Sequence, residues 1–236
     1  MVTSVGVTTN EEGLIRLLAQ IVLFDGFDPL DAIAPYEVLA AGGAITDGTL
    51  EAELVSAEGP RQVPSGMSLL SLAATARLEP QRADLIVVPG AAGSFPTGED
   101  DVRDDSIPGI LARTLDTPLP GLLKQALDRP GLTVATVCGG SMVLAMAGLI
   151  TGRPATTHHL GLDGLAATGV VAIDARVVDD GDLVTASSVT SGLDLGLYLL
   201  ERELGPRIAH AAERLFAHER RGIVWRNTGL APTVNG

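Results

Sequence analysis

The chain has 236 residues, is 46% hydrophobic and only 3% aromatic, and carries a formal net charge of −13. This length fits one large α/β domain or two small ones, with a core of leucine, valine, isoleucine and alanine. The acidic balance argues against nucleic acid and anionic membrane surfaces as partners, and without a suitable apolar run we expect neither a signal peptide nor a transmembrane helix.

The hydrophobic pattern predicts strands that alternate with helices along the chain. In chain order we expect a strand at 19–24, a helix at 32–41, strands at 51–56 and 84–88, a helix at 119–128, a strand at 132–137, helices at 141–149 and 160–168, a hairpin of strands at 176–178 and 183–186, and helices at 190–204 and 206–220. Gly42 and Gly43 are predicted to end the first helix, and residues 68–72 to pair beside the strand at 51–56. The acidic run at 98–105 is interpreted as a solvated loop.

Strands alternating with helices predict βαβ units and a mostly parallel sheet with helices on both faces. The predicted organisation is a flexible leader at 1–13, a single domain at 14–222 and a tail at 223–236. In open α/β sheets the functional site lies at the carboxyl ends of the strands. Three segments occupy that edge here: the loop with Asp31, residues 89–93, and Cys138.

Cys138 is the only cysteine and lies between the β-branched run at 132–137 and the pair Gly139 and Gly140. A strand, a nucleophile, small residues and then a helix form the pattern of a nucleophile elbow. The start of the helix is expected to favour the thiolate. The alternative is a buried, inert thiol. A single cysteine cannot form an internal disulfide, which is typical of a protein in a reducing cytoplasm.

Asp31 is the first candidate for the proton partner of Cys138, because it follows the first strand at the start of a helix. Burial beside the sulfur would raise its pKa and let it donate a hydrogen bond to the sulfur and deliver protons. The alternative is a helix N-cap, a position that aspartate favours.

A charge-stabilising loop is predicted at residues 89–93, where the N–H groups of Gly90 and Ala91 follow a buried strand. The Gly139 N–H could add to this anion hole. The alternative is an ordinary βα turn, since the segment lacks a phosphate-binding glycine pattern. His158 and His159 are weak evidence for a metal, because no further ligand lies at suitable spacing. We therefore expect neither metal nor cofactor.

Several segments together resemble the ThiJ/PfpI superfamily, the reactive-cysteine branch of the class I glutamine-amidotransferase-like fold. They are Leu30-Asp31 with Pro35, Val38 and Leu39, then Pro64-Ser65-Gly66, Val88-Pro89-Gly90, Val137-Cys138 with Gly140-Ser141, Ala147-Gly148-Leu149 with Gly152-Arg153, Ala155-Thr156-Thr157-His158, and Thr190-Ser191-Gly192-Leu193-Asp194. The resemblance is closest to isonitrile hydratases and to the amidotransferase-like domains of AraC-type regulators.

The resemblance implies a flavodoxin-like three-layer sandwich, a homodimer, and a small-molecule substrate. In the hydratase subfamily, the cysteine attacks an isonitrile to form a thioimidate, which water converts to an N-substituted formamide. The resemblance assigns Cys138 as the nucleophile and Asp31 as the acid and base. It places His158, Gly140 and Thr190 around the pocket.

One position departs from the hydratase pattern, because Gly139 stands where that pattern has a threonine directly after the cysteine. The missing hydroxyl puts the positioning of water in doubt. The protease-like and glyoxalase-like members have histidine there. The alternatives to a hydratase are another cysteine-dependent hydrolase or lyase of the superfamily, or a non-enzymatic redox or small-molecule sensor.

Overall fold

The computed structural model describes residues 16–94 and 103–230. The strands are β1 (Leu17–Leu23), β2 (Leu50–Ser56), β3 (Arg61–Pro64), β4 (Ser71–Ala74), β5 (Ala76–Arg77), β6 (Leu85–Val88), β7 (Thr133–Val137), β8 (Pro154–Ala155), β9 (Val171–Ala172), β10 (Val177–Asp179), β11 (Leu183–Ala186) and β12 (Trp225–Arg226). The α-helices are α1 (Pro29–Ile45), α2 (Ile107–Arg113), α3 (Leu119–Leu127), α4 (Gly140–Met146), α5 (Leu162–Ala167), α6 (Ser191–Leu204) and α7 (Pro206–Phe216). Short 3₁₀ helices lie at Thr114–Asp116 and His159–Gly161.

One sheet organises the chain, with the strand order β12-β10-β11-β7-β6-β1-β2-β5. Its neighbouring strands are parallel, except that β10 runs antiparallel to β11. Strands β6 and β7 are buried at every position, as their continuous apolar sequences require when helices cover both faces. Helices α1, α6 and α7 pack together, and α2, α3 and α5 pack with α4. This arrangement confirms the predicted flavodoxin-like sandwich.

Helix α1 begins because Asp28 caps it, accepting a hydrogen bond from the Leu30 N–H at 2.9 Å. The prediction that two glycines end this helix is wrong. A Cβ on Gly42 would lie 2.3 Å from a methyl carbon of Leu200, and one on Gly43 would lie 2.0 Å from the Leu50 carbonyl oxygen. The glycines therefore let α1 approach α6 and β2 closely, and the helix continues to Ile45.

Two further differences concern short segments. The segment predicted at 68–72 does not pair beside β2, because β4 forms a separate antiparallel hairpin with β3, and β5 takes the place beside β2. Helix α2 was not predicted. The predicted hairpin at 176–186 is confirmed by the pairing of β10 with β11.

The last described segment adds strand β12 to the edge of the sheet beside β10. The predicted leader and part of the acidic run at 98–105 lie outside the described residues, and residues 103–105 are exposed. Within the described ranges, no helix has the length and apolarity needed to cross a membrane. The domain boundaries, the homodimer and the cytoplasmic location stay predictions.

Candidate active site

Cys138 occupies a strained corner between β7 and α4. Its φ of 54° lies in the left-handed region, which a residue with a side chain rarely adopts. The strain is held by hydrogen bonds on both sides of the residue: the Cys138 N–H donates to the Ala186 carbonyl at 2.9 Å, and the Thr157 hydroxyl donates to the Cys138 carbonyl at 2.9 Å. Strain maintained in this way is typical of a functional site, and it gives Cys138 the geometry of a nucleophile elbow.

Gly140 makes this corner possible, because the start of α4 lies directly against the end of β6. A Cβ on Gly140 would lie only 2.1 Å from the Val88 carbonyl oxygen. No side chain fits in this space. Gly140 is buried in this backbone packing and so supports the elbow, and the role predicted for it at the pocket stays a prediction.

Asp31 is fully buried in the first turn of α1. It is not the N-cap, because Asp28 takes that role. One carboxylate oxygen, Oδ2, accepts a hydrogen bond from the Gly90 N–H at 3.0 Å. The other, Oδ1, is buried and has no hydrogen-bond partner among residues 16–94 and 103–230. An unpartnered buried oxygen is costly, so this atom is available to a proton donor or a water molecule.

The carboxyl of Asp31 and the thiol of Cys138 shift each other's protonation. Burial raises the pKa of Asp31 well above its usual range, the charge of Asp28 raises it further, and the Gly90 N–H and the Cys138 side chain lower it. Burial also raises the pKa of Cys138, the negative charge of Asp31 raises it further, and the Gly139 N–H lowers it. Burial therefore favours the neutral form of both groups, whereas the interaction between them favours an ionised Asp31 carboxylate beside a Cys138 thiol that keeps its proton.

This electrostatic balance differs from the expectation that the helix start alone would favour the thiolate. Helix α4 has seven residues, and the stabilising effect of the Gly139 N–H is outweighed by burial and by Asp31. Ionisation of the sulfur therefore requires that its proton be transferred, and Asp31 is the carboxyl that interacts with it.

The anion hole was predicted from three N–H groups, and the structure shows a partner for one of them. The Gly90 N–H is engaged by Asp31, so the role predicted for it in binding substrate charge is wrong. The Gly139 N–H lies close to Gly90 and interacts with the sulfur. Ala91 forms a bridge with Phe27, and its own N–H donates no hydrogen bond within the described part of the chain. The Ala91 and Gly139 N–H groups therefore remain as candidates.

His158 follows the threonine that holds the elbow and is partly buried. Its Nδ1 accepts a hydrogen bond from the Leu160 N–H at 3.2 Å, and its ring stacks at 4.2 Å on His159. Burial and the neighbouring His159 lower the pKa of His158. The residue lies beside the site but donates no hydrogen bond to Cys138 in the described ranges.

Thr190 lies at the start of α6 and is exposed. Its hydroxyl accepts a hydrogen bond from Arg176 at 3.1 Å, and Arg176 also binds the buried carboxylate of Asp194 at 2.6 Å. No hydrogen bond joins Thr190 to Cys138 within the residues that are described. The structure therefore places Thr190 in a neighbouring ion-pair cluster, whereas the resemblance placed it at the pocket.

Leu111 is a neighbour of the site that the sequence interpretation missed. It lies on α2, is only 4% exposed, and packs over Gly139. The signal that predicts α2 is Ser106 followed by Pro108: the Ser106 hydroxyl caps the helix by accepting a hydrogen bond from the Gly109 N–H at 3.2 Å. This helix covers the corner and leaves Cys138 with an exposure of 9%.

A cavity of about 920 Å³ lies elsewhere, between α6 and the segment at 219–228. Its charged side chains pair with one another, as in the contact of Arg220 with Glu213 at 2.7 Å. The described residues that line it include no cysteine. The strained elbow at Cys138 and the buried Asp31 oxygen that lacks a partner among the described residues therefore identify this corner, and not the cavity, as the candidate active site. Within the described residues, no cluster of three or more histidine, cysteine, aspartate or glutamate side chains is arranged to hold a metal ion.

Known proteins resemble this chain in sequence, and a solved structure resembles it in fold. A family model described as DJ-1/PfpI matches residues 107–202. Isonitrile hydratase of Pseudomonas putida is 33% identical over 184 residues, which cover 78% of this chain and 71% of that protein. The HTH-type transcriptional regulator CdhR of Pseudomonas aeruginosa is 29% identical over 192 residues, which cover 80% of this chain and 51% of the regulator. The crystal structure of a THiJ/PfpI family protein from Pseudomonas syringae superposes with a TM-score of 0.71 at 23% identity, covering 88% of this chain and 77% of that one.

Proposed function

Because the chain belongs to the DJ-1/PfpI family, we propose that its elbow cysteine hydrates a small isonitrile to an N-substituted formamide. The observation that carries this proposal is the buried carboxyl of Asp31 beside Cys138, with one oxygen that has no hydrogen-bond partner in the part of the chain that the structure describes. The similarity to isonitrile hydratase of Pseudomonas putida supports the same reaction.

The first step uses the proton that Asp31 and Cys138 hold together. The sulfur attacks the terminal carbon of the isonitrile, forming the C–S bond, while the proton passes to that carbon through Asp31. The product is a thioimidate, R–N=CH–S–Cys138. One thiol proton has been consumed, and Asp31 is left as a carboxylate.

The second step needs a base, and Asp31 is now in the required form. Its Oδ1, which lacks a partner among the described residues, accepts a proton from water as the water oxygen attacks the thioimidate carbon, and Asp31 passes this proton to the nitrogen. Asp31 then accepts the proton of the new hydroxyl group as the C=O bond forms and the C–S bond breaks, and the formamide leaves with its oxygen derived from water. The sulfur and Asp31 again share one proton, so the cycle closes without a cofactor.

Charge that develops on the sulfur during the cycle has a fixed partner in the Gly139 N–H, whose interaction lowers the pKa of Cys138. Gly90 holds the carboxyl by its 3.0 Å hydrogen bond to Oδ2, which directs Oδ1 away from the Gly90 backbone. In this account the hydroxyl missing at Gly139 is not required, because Asp31 itself activates the water.

Incubation with a simple aryl isonitrile tests this function. The expected result is formamide detected by mass spectrometry, containing ¹⁸O when the reaction is run in labelled water. Cys138→Ala is the matched control, because the corner is kept and only the sulfur is lost. Formamide no faster than with Cys138→Ala would contradict the proposal.

A second candidate function is a redox sensor, which the same carboxyl favours. Peroxide would oxidise the thiol to a sulfinate in two steps, each transferring one oxygen atom, and a protonated Asp31 would donate a hydrogen bond to the new oxygens. The resemblance to a transcriptional regulator is compatible with this role. A stable gain of two oxygen atoms at Cys138 after mild peroxide, lost in Asp31→Ala, would support the sensor.

A further inference from the structure

Leu111 occupies the space above the residue that follows the cysteine. A Cβ on Gly139 would lie 3.1 Å from one methyl carbon of Leu111 and 3.7 Å from the other. The first distance is shorter than an ordinary contact between carbon atoms, so the space beside Gly139 is already full. The backbone of Gly90 closes the other side, 3.6 Å from the same point.

The position of Leu111 is fixed by its own helix. The Thr114 hydroxyl donates to the Leu111 carbonyl at 2.6 Å, and the N-terminal end of α2 is capped by Ser106. The preceding residue, Ile110, is equally buried at 4% exposure, but it faces Gly26, where a Cβ would lie 2.5 Å from its methyl carbon. Two neighbouring side chains of one helix therefore point at different glycines, and of these two it is Leu111 that lies against the elbow residue Gly139.

We propose that Leu111 is the specificity-determining residue of this site, limiting access to Cys138 to molecules whose reacting carbon lies at the narrow tip of a linear group. The isonitrile carbon is terminal and carries one substituent in line with it. A carbonyl carbon carries two substituents beside its oxygen and needs lateral space that Leu111 fills. The choice of isonitriles rests on the proposed function, whereas the steric role of Leu111 does not.

Two thiosulfonates of equal chemistry and different width measure this access directly. The thiolate attacks the sulfenyl sulfur, a disulfide forms and methanesulfinate leaves. Methyl methanethiosulfonate transfers a methylthio group and benzyl methanethiosulfonate transfers a benzylthio group. The ratio of the two rates, measured by intact-protein mass spectrometry, reports width alone, because a change in thiolate population affects both reagents equally.

Leu111→Ala is expected to raise the benzyl-to-methyl rate ratio by about tenfold or more. This is the factor by which one methylene group in an apolar pocket changes the discrimination between two substrates. Ile110→Ala is the matched control, because it removes a similar side-chain volume from the same helix. This variant is expected to change the benzyl-to-methyl rate ratio by less than about twofold. Leu111→Val removes a single carbon and is expected to give an intermediate ratio with the fold preserved. Equal ratios in the Leu111 and Ile110 variants would overturn the proposal.

A second experiment places threonine at position 139. In the wild-type background Gly139→Thr is expected to lower the thermal midpoint, because its side chain collides with Leu111. In the Leu111→Ala background, Gly139→Thr is expected to lower the thermal midpoint by less than it does in wild type. If the two substitutions lower the midpoint additively, Leu111 does not collide with the side chain at position 139. The isonitrile assay separates the two ideas: if no formamide forms but the rate ratio responds to Leu111, the hydratase function fails and the steric role of Leu111 stands.

Discussion

Replacing Gly90 with alanine is expected to separate the two halves of the active site. A Cβ on Gly90 would lie 2.6 Å from the Gly139 nitrogen, 2.8 Å from Asp31 Oδ2 and 3.1 Å from the Gly139 Cα. Two of these three neighbours are backbone atoms, so a change of side-chain rotamer cannot relieve the contact. The carboxyl and the elbow must move apart.

The expected cost has two sources. Overpacking of a tightly filled site costs about 1–3 kcal/mol. The hydrogen bond from the Gly90 N–H to the Asp31 carboxylate, now 3.0 Å, contributes about 1.5–3 kcal/mol if it is lost. Because the same displacement relieves the collision and lengthens this bond, the two costs overlap, and we expect a total of about 2–4 kcal/mol.

Urea denaturation measures this loss, and isonitrile turnover measures its effect on the site. Gly121→Ala is the matched control, since a Cβ there meets nothing within 4 Å in the exposed face of α3. That variant is expected to be more stable than wild type by about 0.5–1 kcal/mol, because alanine favours a helix. A Gly90→Ala protein within about 0.5 kcal/mol of wild type, with full activity, would refute the reasoning.

Three other substitutions test the surroundings of the site. Because burial raises the pKa of Asp31, ionisation of this carboxyl lowers the free energy of unfolding of the wild type as pH rises above the usual carboxyl range. Urea titrations should therefore show the free energy of unfolding of Asp31→Asn increasing relative to wild type from acid to neutral pH. A difference that stays constant with pH would contradict this. Thr157→Val removes the 2.9 Å hydrogen bond to the Cys138 carbonyl and should cost about 1–3 kcal/mol in the same assay. Asp194→Ala removes the buried carboxylate that binds the partly exposed Arg176 and should cost about 1–3 kcal/mol in that assay, and a value under about 0.5 kcal/mol would contradict this.

The parallel sheet and the elbow are encoded locally, which is why the sequence predicts them. Strands β6 and β7 are continuous apolar runs because both faces are covered, and that pattern needs no knowledge of the neighbours. Cys138 is followed by two glycines, and at Gly140 the corner leaves no room for a side chain beside Val88.

Other features depend on residues distant in sequence, and local patterns do not contain them. Gly42 has the character of a helix end, but its neighbour is Leu200 on α6, and this tertiary contact overrides the local preference. The Gly90 N–H was predicted to face a substrate, yet its acceptor is Asp31, 59 residues away. The threonine at 190 was placed at the pocket by resemblance, and its partner is Arg176 on the loop before β10.

The most direct test of the shared proton between Asp31 and Cys138 compares two rates in Asp31→Asn. Removing the negative charge lowers the pKa of Cys138, so modification of the thiol by methyl methanethiosulfonate at neutral pH should become faster than in wild type. Formation of formamide from an aryl isonitrile should become slower by about 100-fold or more, because asparagine neither donates the proton nor activates water. An Asp31→Asn protein with unchanged thiol reactivity, or one that keeps the wild-type rate of formamide formation, would contradict the pairing of these two residues.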